Sequence, residues 1–170
     1  MIAKYNDFGF PAWAFVEVIS FGSFLYFYKF CANRFDDREM LKEFYILQAV
    51  KSLRNACAHN SCILNNLRAD RPQFKPSYVV TRELSTIAGI GLDRRKSKMS
   101  NDRMQQIVTT LYAHRKLASQ GVLEHRAKSL SVFVQRMNKH VDYYRGNLQV
   151  STGFDFLTKV ISAWFPVDAD

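Results

Sequence analysis

Glycine and proline are scarce, at 7 and 4 of 170 residues, where an average chain carries about 12% of the two together. So few backbone breakers exclude a sandwich or barrel built from many tight turns and predict a mostly helical chain. Cysteine is also scarce and odd in number: Cys31, Cys57 and Cys62. That excludes a dense disulfide framework and suits a reducing, cytoplasmic setting. The first nine residues are polar and aromatic, without a basic n-region or a small-residue cleavage site, so no secretory signal is read there. No long hydrophobic run is present. The nearest candidate, 11–30, carries Glu17, and its uncharged stretch from Val18 to Tyr28 falls short of the roughly 20 residues a membrane span needs. It is expected to be a core helix, and no membrane is expected as a partner. Gly89-Ile90-Gly91 is too short for a phosphate-binding loop. No Gly-x-Ser-x-Gly elbow and no His-Glu-x-x-His pair occurs.

What is abundant is positive charge and aromatic surface. Lysine and arginine number 24 against 15 acidic residues, a net charge of +9. A basic surface attracts polyanions: RNA, DNA or acidic lipid. A chain of this length is expected to form one domain over 1–170. Of its 24 aromatic residues, eleven lie in the first 30. From Pro11, suited to a first helical turn, to about Asn33 the pattern is apolar on every side. Such a helix must be covered on every side, so it is either central or half of an oligomer interface.

Asp36-Asp37-Arg38-Glu39 reads as the capped start of a second helix. Ile46, Ala49, Val50, Leu53, Ala56 and Cys57 form its apolar seam, and it runs to about His59. Residues 68–78 hold two prolines and read as a loop, followed by a short helix over 80–88. Asp93 to Lys98 reads as an exposed basic loop. Ser100, Asn101 or Asp102 caps a third long helix, broken by Gly121. A fourth runs from Val122 to Arg145, stopped by Gly146, and a last one from Thr152 to Trp164. The expected fold class is all-α, a helical bundle with short connections.

The segment Ser52-Leu53-Arg54-Asn55-Ala56-Cys57-Ala58-His59-Asn60 places an arginine, two amides and a histidine at the end of an apolar helix. Arg54 and His59 are five apart and point about 140° away from each other on an ideal helix. They converge only if the helix ends between them or a second copy of the chain completes the site. Asn55 and His59 are four apart and share a face. Arginine offers a charged, planar donor fork to a phosphate, and histidine moves protons near neutral pH. In RNA the 2′-hydroxyl is a built-in nucleophile, so the pair suits phosphodiester cleavage without a metal. The plainer alternative is a surface arginine and a histidine closing the helix C-terminus.

Arg54-Asn55-Ala56-Cys57-Ala58-His59 resembles the R-x4-6-H motif of the HEPN superfamily of helical ribonucleases. Phe10-Pro11-Ala12-Trp13, Glu17 and Ser20-Phe21-Gly22, followed by Leu53-Arg54-Asn55 and Cys57-Ala58-His59-Asn60, resemble the Abi-like (abortive infection) proteins of bacteria. The resemblance is strongest over residues 10–66. It implies a HEPN-like helical bundle, a homodimer with both Arg-His pairs at its interface, and metal-independent cleavage of single-stranded RNA. Phage defence or a toxin–antitoxin pair, with an RNA or protein antitoxin, is the setting it implies. Arg54 and His59 carry over as the catalytic pair, with Asn55 beside them and Asn60 and Ser20 in support. No cofactor is implied. Relatives of this type carry a helical region before the Pro-x-Trp segment, of which about ten residues stand here. Some HEPN toxins have a modifiable tyrosine two positions after the histidine; Ser61 stands there in this chain, so that regulation is not expected.

Glu17, a carboxylate in an apolar helix, is costly unless paired. Arg54 is its expected partner, with Ser20 one turn on. Cys57-x-His59-x-x-Cys62 lacks a second ligand pair, so no metal site is expected. Arg94, Arg95, Lys96 and Lys98 are candidates to hold RNA backbone through salt-sensitive phosphate contacts. His114, His125 and His140 are expected to be structural or surface residues. Two other functions fit the same residues: a non-catalytic RNA-binding or protein-interaction module, and a membrane-surface protein using the aromatic first helix.

Overall fold

A computed structural model describes residues 11–65, 67, 72 and 74–167. Phe10 and the loop residues 68–71 and 73 read above lie outside the described residues. All regular structure among the described residues is helical, as the shortage of breakers predicts.

The expected first helix is two. α1 (Ala12–Val18) and α2 (Phe21–Arg34) are separated at Ile19 and Ser20, both in extended conformation. Ser20 is the N-cap of α2, where its hydroxyl accepts from the Ser23 backbone N–H at 3.1 Å. A cap of this kind contributes about 1 kcal/mol. α2 ends on Phe35, and Asp36 follows at φ 49°. The Asp37 N–H then reaches back to the Ala32 carbonyl at 2.9 Å. Asp37 also starts α3 (Arg38–Ala58), its carboxylate accepting from the backbone N–H groups of Glu39 and Met40. One residue thus closes one helix and opens the next, so α2 and α3 form a tight hairpin. Tyr28 donates to the Glu43 carboxylate across it. Burial, then that hydrogen bond and the nearby charge, push the Tyr28 hydroxyl up to about 12.

α4 (Tyr78–Ser85), α5 (Leu92–Met99), α6 (Asp102–Leu117), α7 (Gln120–Lys139) and α8 (Leu148–Trp164) complete the bundle. α2 packs on α3, and α3 packs on α6. α4, α5 and α8 all pack on α6, and α7 packs on α8. The main core is therefore in the second half of the chain. Val80 and Leu84, Met99, Met104 and Val108, Phe156, Val160 and Trp164 all belong to it. Apart from Gly153, whose added Cβ would stand 3.2 Å from Met104 Cε, these contacts are between ordinary apolar side chains.

Several expectations change. The aromatic first segment is not central: α2 buries only Leu25 and Ala32 fully, while Tyr26 and Phe30 are 67% and 62% exposed. Residues 93–98 are helical, not a loop. Gly121 lies inside α7, and the break before it falls at Ala118 and Ser119, both extended. α7 ends at Lys139, six residues before the expected Arg145, and a single 3-10 turn follows. α8 begins at Leu148, earlier than expected, because Asn147 caps it by accepting from Gln149 and Val150 N–H groups. The Asn101 cap of α6 is as expected.

Candidate functional site

The C-terminal end of α3 is closed by a Schellman turn. The Asn60 N–H donates to the Cys57 carbonyl at 3.1 Å and the Ser61 N–H to the Ala56 carbonyl at 2.8 Å. Asn60 takes the left-handed conformation this motif requires, φ 51°, and asparagine tolerates it better than other non-glycine residues. His59 is the C-cap and its backbone N–H donates to Asn55 and Cys57 carbonyls. The histidine therefore sits on a fixed backbone with an exposed side chain. Asn60 has a structural part in this turn that its residue type alone accounts for.

Arg54 is exposed, and its Nη1 donates to Asn55 Oδ1 at 3.1 Å. That bond fixes the amide, and among the described residues no other hydrogen bond or ion pair engages the guanidinium. Arg54 and His59 lie on different faces of α3, as their spacing predicts. Among the described residues no hydrogen bond or ion pair joins the two.

Lys51 stands one turn before Arg54 and Asn55. Its Nζ lies 5.8 Å from the centre of the Tyr26 ring, and a Cβ on Gly22 would meet that Nζ at 3.1 Å. Gly22 thus makes room for Lys51 between α2 and α3. The exposed ring of Tyr26 is thereby placed beside Lys51, one turn from Arg54 on α3. Phe27 packs edge-on against Phe15 of α1 at 5.3 Å.

Other expected site residues are placed differently. Glu17 is exposed near the end of α1, and among the described residues no ion pair joins it to Arg54. A solvated carboxylate needs no partner. Ser20 is engaged in capping, its hydroxyl also lying 2.9 Å from Ser23 Oγ. Cys57 is exposed, not part of the seam, because it stands about 100° round the helix from buried Ala56. Cys62 is exposed as well. Among the described residues no cluster of three or more His, Cys, Asp or Glu is arranged to hold a metal ion.

The basic run divides in two. Arg94 pairs with Asp155 of α8, and Lys98 Nζ donates to Thr152 Oγ1 of α8 at 2.7 Å. Burial, and then the Arg94 charge, lower the Lys98 ammonium below the usual lysine range. Burial alone would raise the Asp155 carboxyl, but hydrogen bonds from Arg94 and Lys159 outweigh it and hold the group low. These two cations tie α5 to α8. Among the described residues no ion pair or side-chain hydrogen bond engages Arg95 or Lys96, and they remain the candidates for phosphate.

A groove of about 380 Å³ between α3 and α6 has no counterpart in the sequence reading. Its walls come from one face of α3, the segment 74–78 and the first turns of α6. The available signal was Phe74-Lys75 followed by Tyr78, aromatic and basic residues interleaved within a segment read only as a loop.

Residues 1–65 match the family model described as Abi-like protein. The match takes in α1 to α3 with the Arg54–Asn60 segment, and α4 to α8 lie beyond it. No curated protein and no solved structure matches the chain. Among the described residues no helix is long and apolar enough to cross a membrane.

Proposed function

We propose that this chain is a metal-independent endoribonuclease of the HEPN type, acting on single-stranded RNA in phage defence by abortive infection or as the toxin of a toxin–antitoxin pair. The match of residues 1–65 to the Abi-like family supports the setting. The observation that carries the chemistry is the end of α3: an exposed arginine, oriented by Asn55, and an exposed histidine on a closed helix end.

In this reading Arg54 grips the scissile phosphate with its free donors. The 2′-oxygen forms a bond to phosphorus while the bond to the 5′-oxygen breaks. His59 serves as general acid or base for one of the two proton transfers, and water serves the other. The products are a 2′,3′-cyclic phosphate and a 5′-hydroxyl. Since Arg54 and His59 diverge on one helix, the working pair comes from two protomers. The exposed rings of α2, among them Tyr26 and Phe30, supply apolar surface for such a homodimer.

The test is cleavage of a labelled RNA pool in EDTA by wild type, Arg54→Ala and His59→Ala. Wild type is expected to yield cyclic-phosphate ends, and each variant to lose about a hundredfold or more in rate. Binding without cleavage by clean wild-type protein overturns the enzyme and leaves an RNA-binding module.

A further inference from the structure

We propose that the groove between α3 and α6 is a binding pocket for one unpaired nucleotide of an RNA strand. The nucleotide chemistry is argued from the groove itself; its assignment to the strand cut at His59 rests on the ribonuclease reading.

The groove's volume, about 380 Å³, falls within the roughly 300–1,000 Å³ of small-molecule sites. Three rings stand around it: Tyr45, Phe74 and Tyr78, the last 76% exposed. Tyr45 packs edge-on against buried Phe44 at 5.3 Å, and the three rings, all largely exposed, group into an aromatic patch of the kind that marks a binding site. Flat bases stack on such rings whatever their sequence. Two lysines, Lys42 and Lys75, stand on the same walls against one carboxylate, Asp102. Lys42 bonds to Glu39 one turn away, both well exposed, and an exposed pair of this kind is worth so little that a phosphate readily replaces it. The amides of Gln48 and Gln106 line the groove as well; Gln106 Oε1 accepts from Arg103 Nη1 at 3.0 Å, which fixes that amide. Amide groups present a donor and an acceptor side by side, as base edges do. An apolar ligand would leave these amides and lysines unused, and an acidic peptide would not need the rings.

The pocket is built in advance. Gln105, only 7% exposed, donates from Nε2 to the Phe74 carbonyl at 3.2 Å. That bond fastens the segment carrying Phe74 and Lys75 onto α6. Thr109, buried beside it, helps form the floor. The groove also points toward the candidate catalytic histidine. Ser52 is its last lining residue on α3, and His59 lies seven residues on. Seven residues are close to two full turns, so His59 returns to the same face about 10 Å further along the axis. Helical spacing thus puts His59 on the side of α3 along which the groove runs.

The experiment is titration of the full chain with each of the four ribonucleoside 5′-monophosphates, read by calorimetry, beside inorganic phosphate and ribose 5-phosphate. At least one nucleotide is expected to bind saturably and far more tightly than the two controls. Tyr78→Ala should weaken it by about fivefold or more, the loss of one stacking face, and Lys75→Ala should weaken it and flatten its salt dependence. Because both side chains are exposed, neither change removes core packing. A short RNA oligonucleotide should displace the bound mononucleotide. Failure of all four nucleotides to bind, or binding indifferent to both substitutions, overturns the pocket. A nucleotide that RNA cannot displace overturns its place on the RNA path. Cleavage by the same preparation is scored separately: cleavage without nucleotide binding sinks only the pocket, and binding without cleavage sinks only the nuclease.

Discussion

The backbone N–H of Ser61 donates to the carbonyl of Ala56 at 2.8 Å, wrapping the chain back over the end of α3 just after His59. This bond, with its companion from Asn60 to Cys57, fixes the main chain on which the histidine stands. It also separates two explanations of the Arg-to-Asn segment. Asn60 answers to backbone geometry, while among the described residues the exposed Arg54 side chain bonds to its neighbour Asn55 and no hydrogen bond or ion pair engages the exposed imidazole of His59.

Asn60→Gly is accordingly expected to leave stability unchanged, because glycine adopts φ 51° freely. Asn60→Val should cost about 1–2 kcal/mol for forcing a branched residue into the left-handed region, seen as a thermal midpoint several degrees lower. If Asn60→Gly instead abolished RNA cleavage while the midpoint held, the amide would have a chemical role beyond the turn.

His114 supplies a pH dependence. Its Nε2 is buried and has no hydrogen-bond partner among the described residues, and its ring stacks on Phe165 at 6.2 Å. Burial, and secondarily the Arg126 charge, lower its pKa. The unfolded chain then takes up a proton more readily than the folded one. Stability is complete above the ordinary histidine value near 6.5 and declines as pH falls through it to the lower folded value. Denaturant unfolding at pH 7.5 and pH 5 should show this loss, and His114→Phe should reduce it. An unchanged pH profile in the variant would assign the acid sensitivity elsewhere.

The division within α5 predicts two phenotypes from one basic run. Arg95→Ala with Lys96→Ala should weaken RNA binding and lower its salt slope by up to about 1.4, two single-strand phosphate contacts, with folding intact. Arg94→Ala should cost at most about 1 kcal/mol, since its pair with Asp155 is partly exposed, and should leave the salt slope alone. The opposite assignment of effects would mean that the α5–α8 contacts open when RNA binds.

The exposed rings of α2 should hold the dimer together. Tyr26→Ser with Phe30→Ser is expected to shift the protein toward monomer in sedimentation and to lower cleavage in parallel. Both positions are mostly exposed in the protomer, so the thermal midpoint of the monomer should not fall. A variant that stays dimeric places the interface on another face.

Helix starts with a side-chain cap were legible where the cap stood beside a clear change of pattern. Asp37 and Asn101 are of that kind. The break at Ser20 was hidden because an all-round apolar pattern has no phase to interrupt. α5 was hidden for the opposite reason: its inward-facing residues include Arg94 and Lys98, and cations read as solvent-facing until their partners on α8 are in view. The Arg54–His59 cluster could be read directly, since it lies within one helix end. Its expected link to Glu17 depended on how α1 meets α3, which no local pattern records. The groove was least legible of all. Tyr45, Phe74 and Gln106 are brought together only when α3, the segment after residue 73 and α6 pack.

The claim that two protomers share each catalytic pair has one direct test. Arg54→Ala and His59→Ala proteins, each inactive alone, are mixed and allowed to exchange subunits, and RNA cleavage is measured. A shared site predicts recovery to about a quarter of wild-type activity, because half the dimers then carry one intact pair drawn from both chains. If both variants dimerise with wild type and their mixture stays inactive, the pair does not work across the interface and the composite site is wrong.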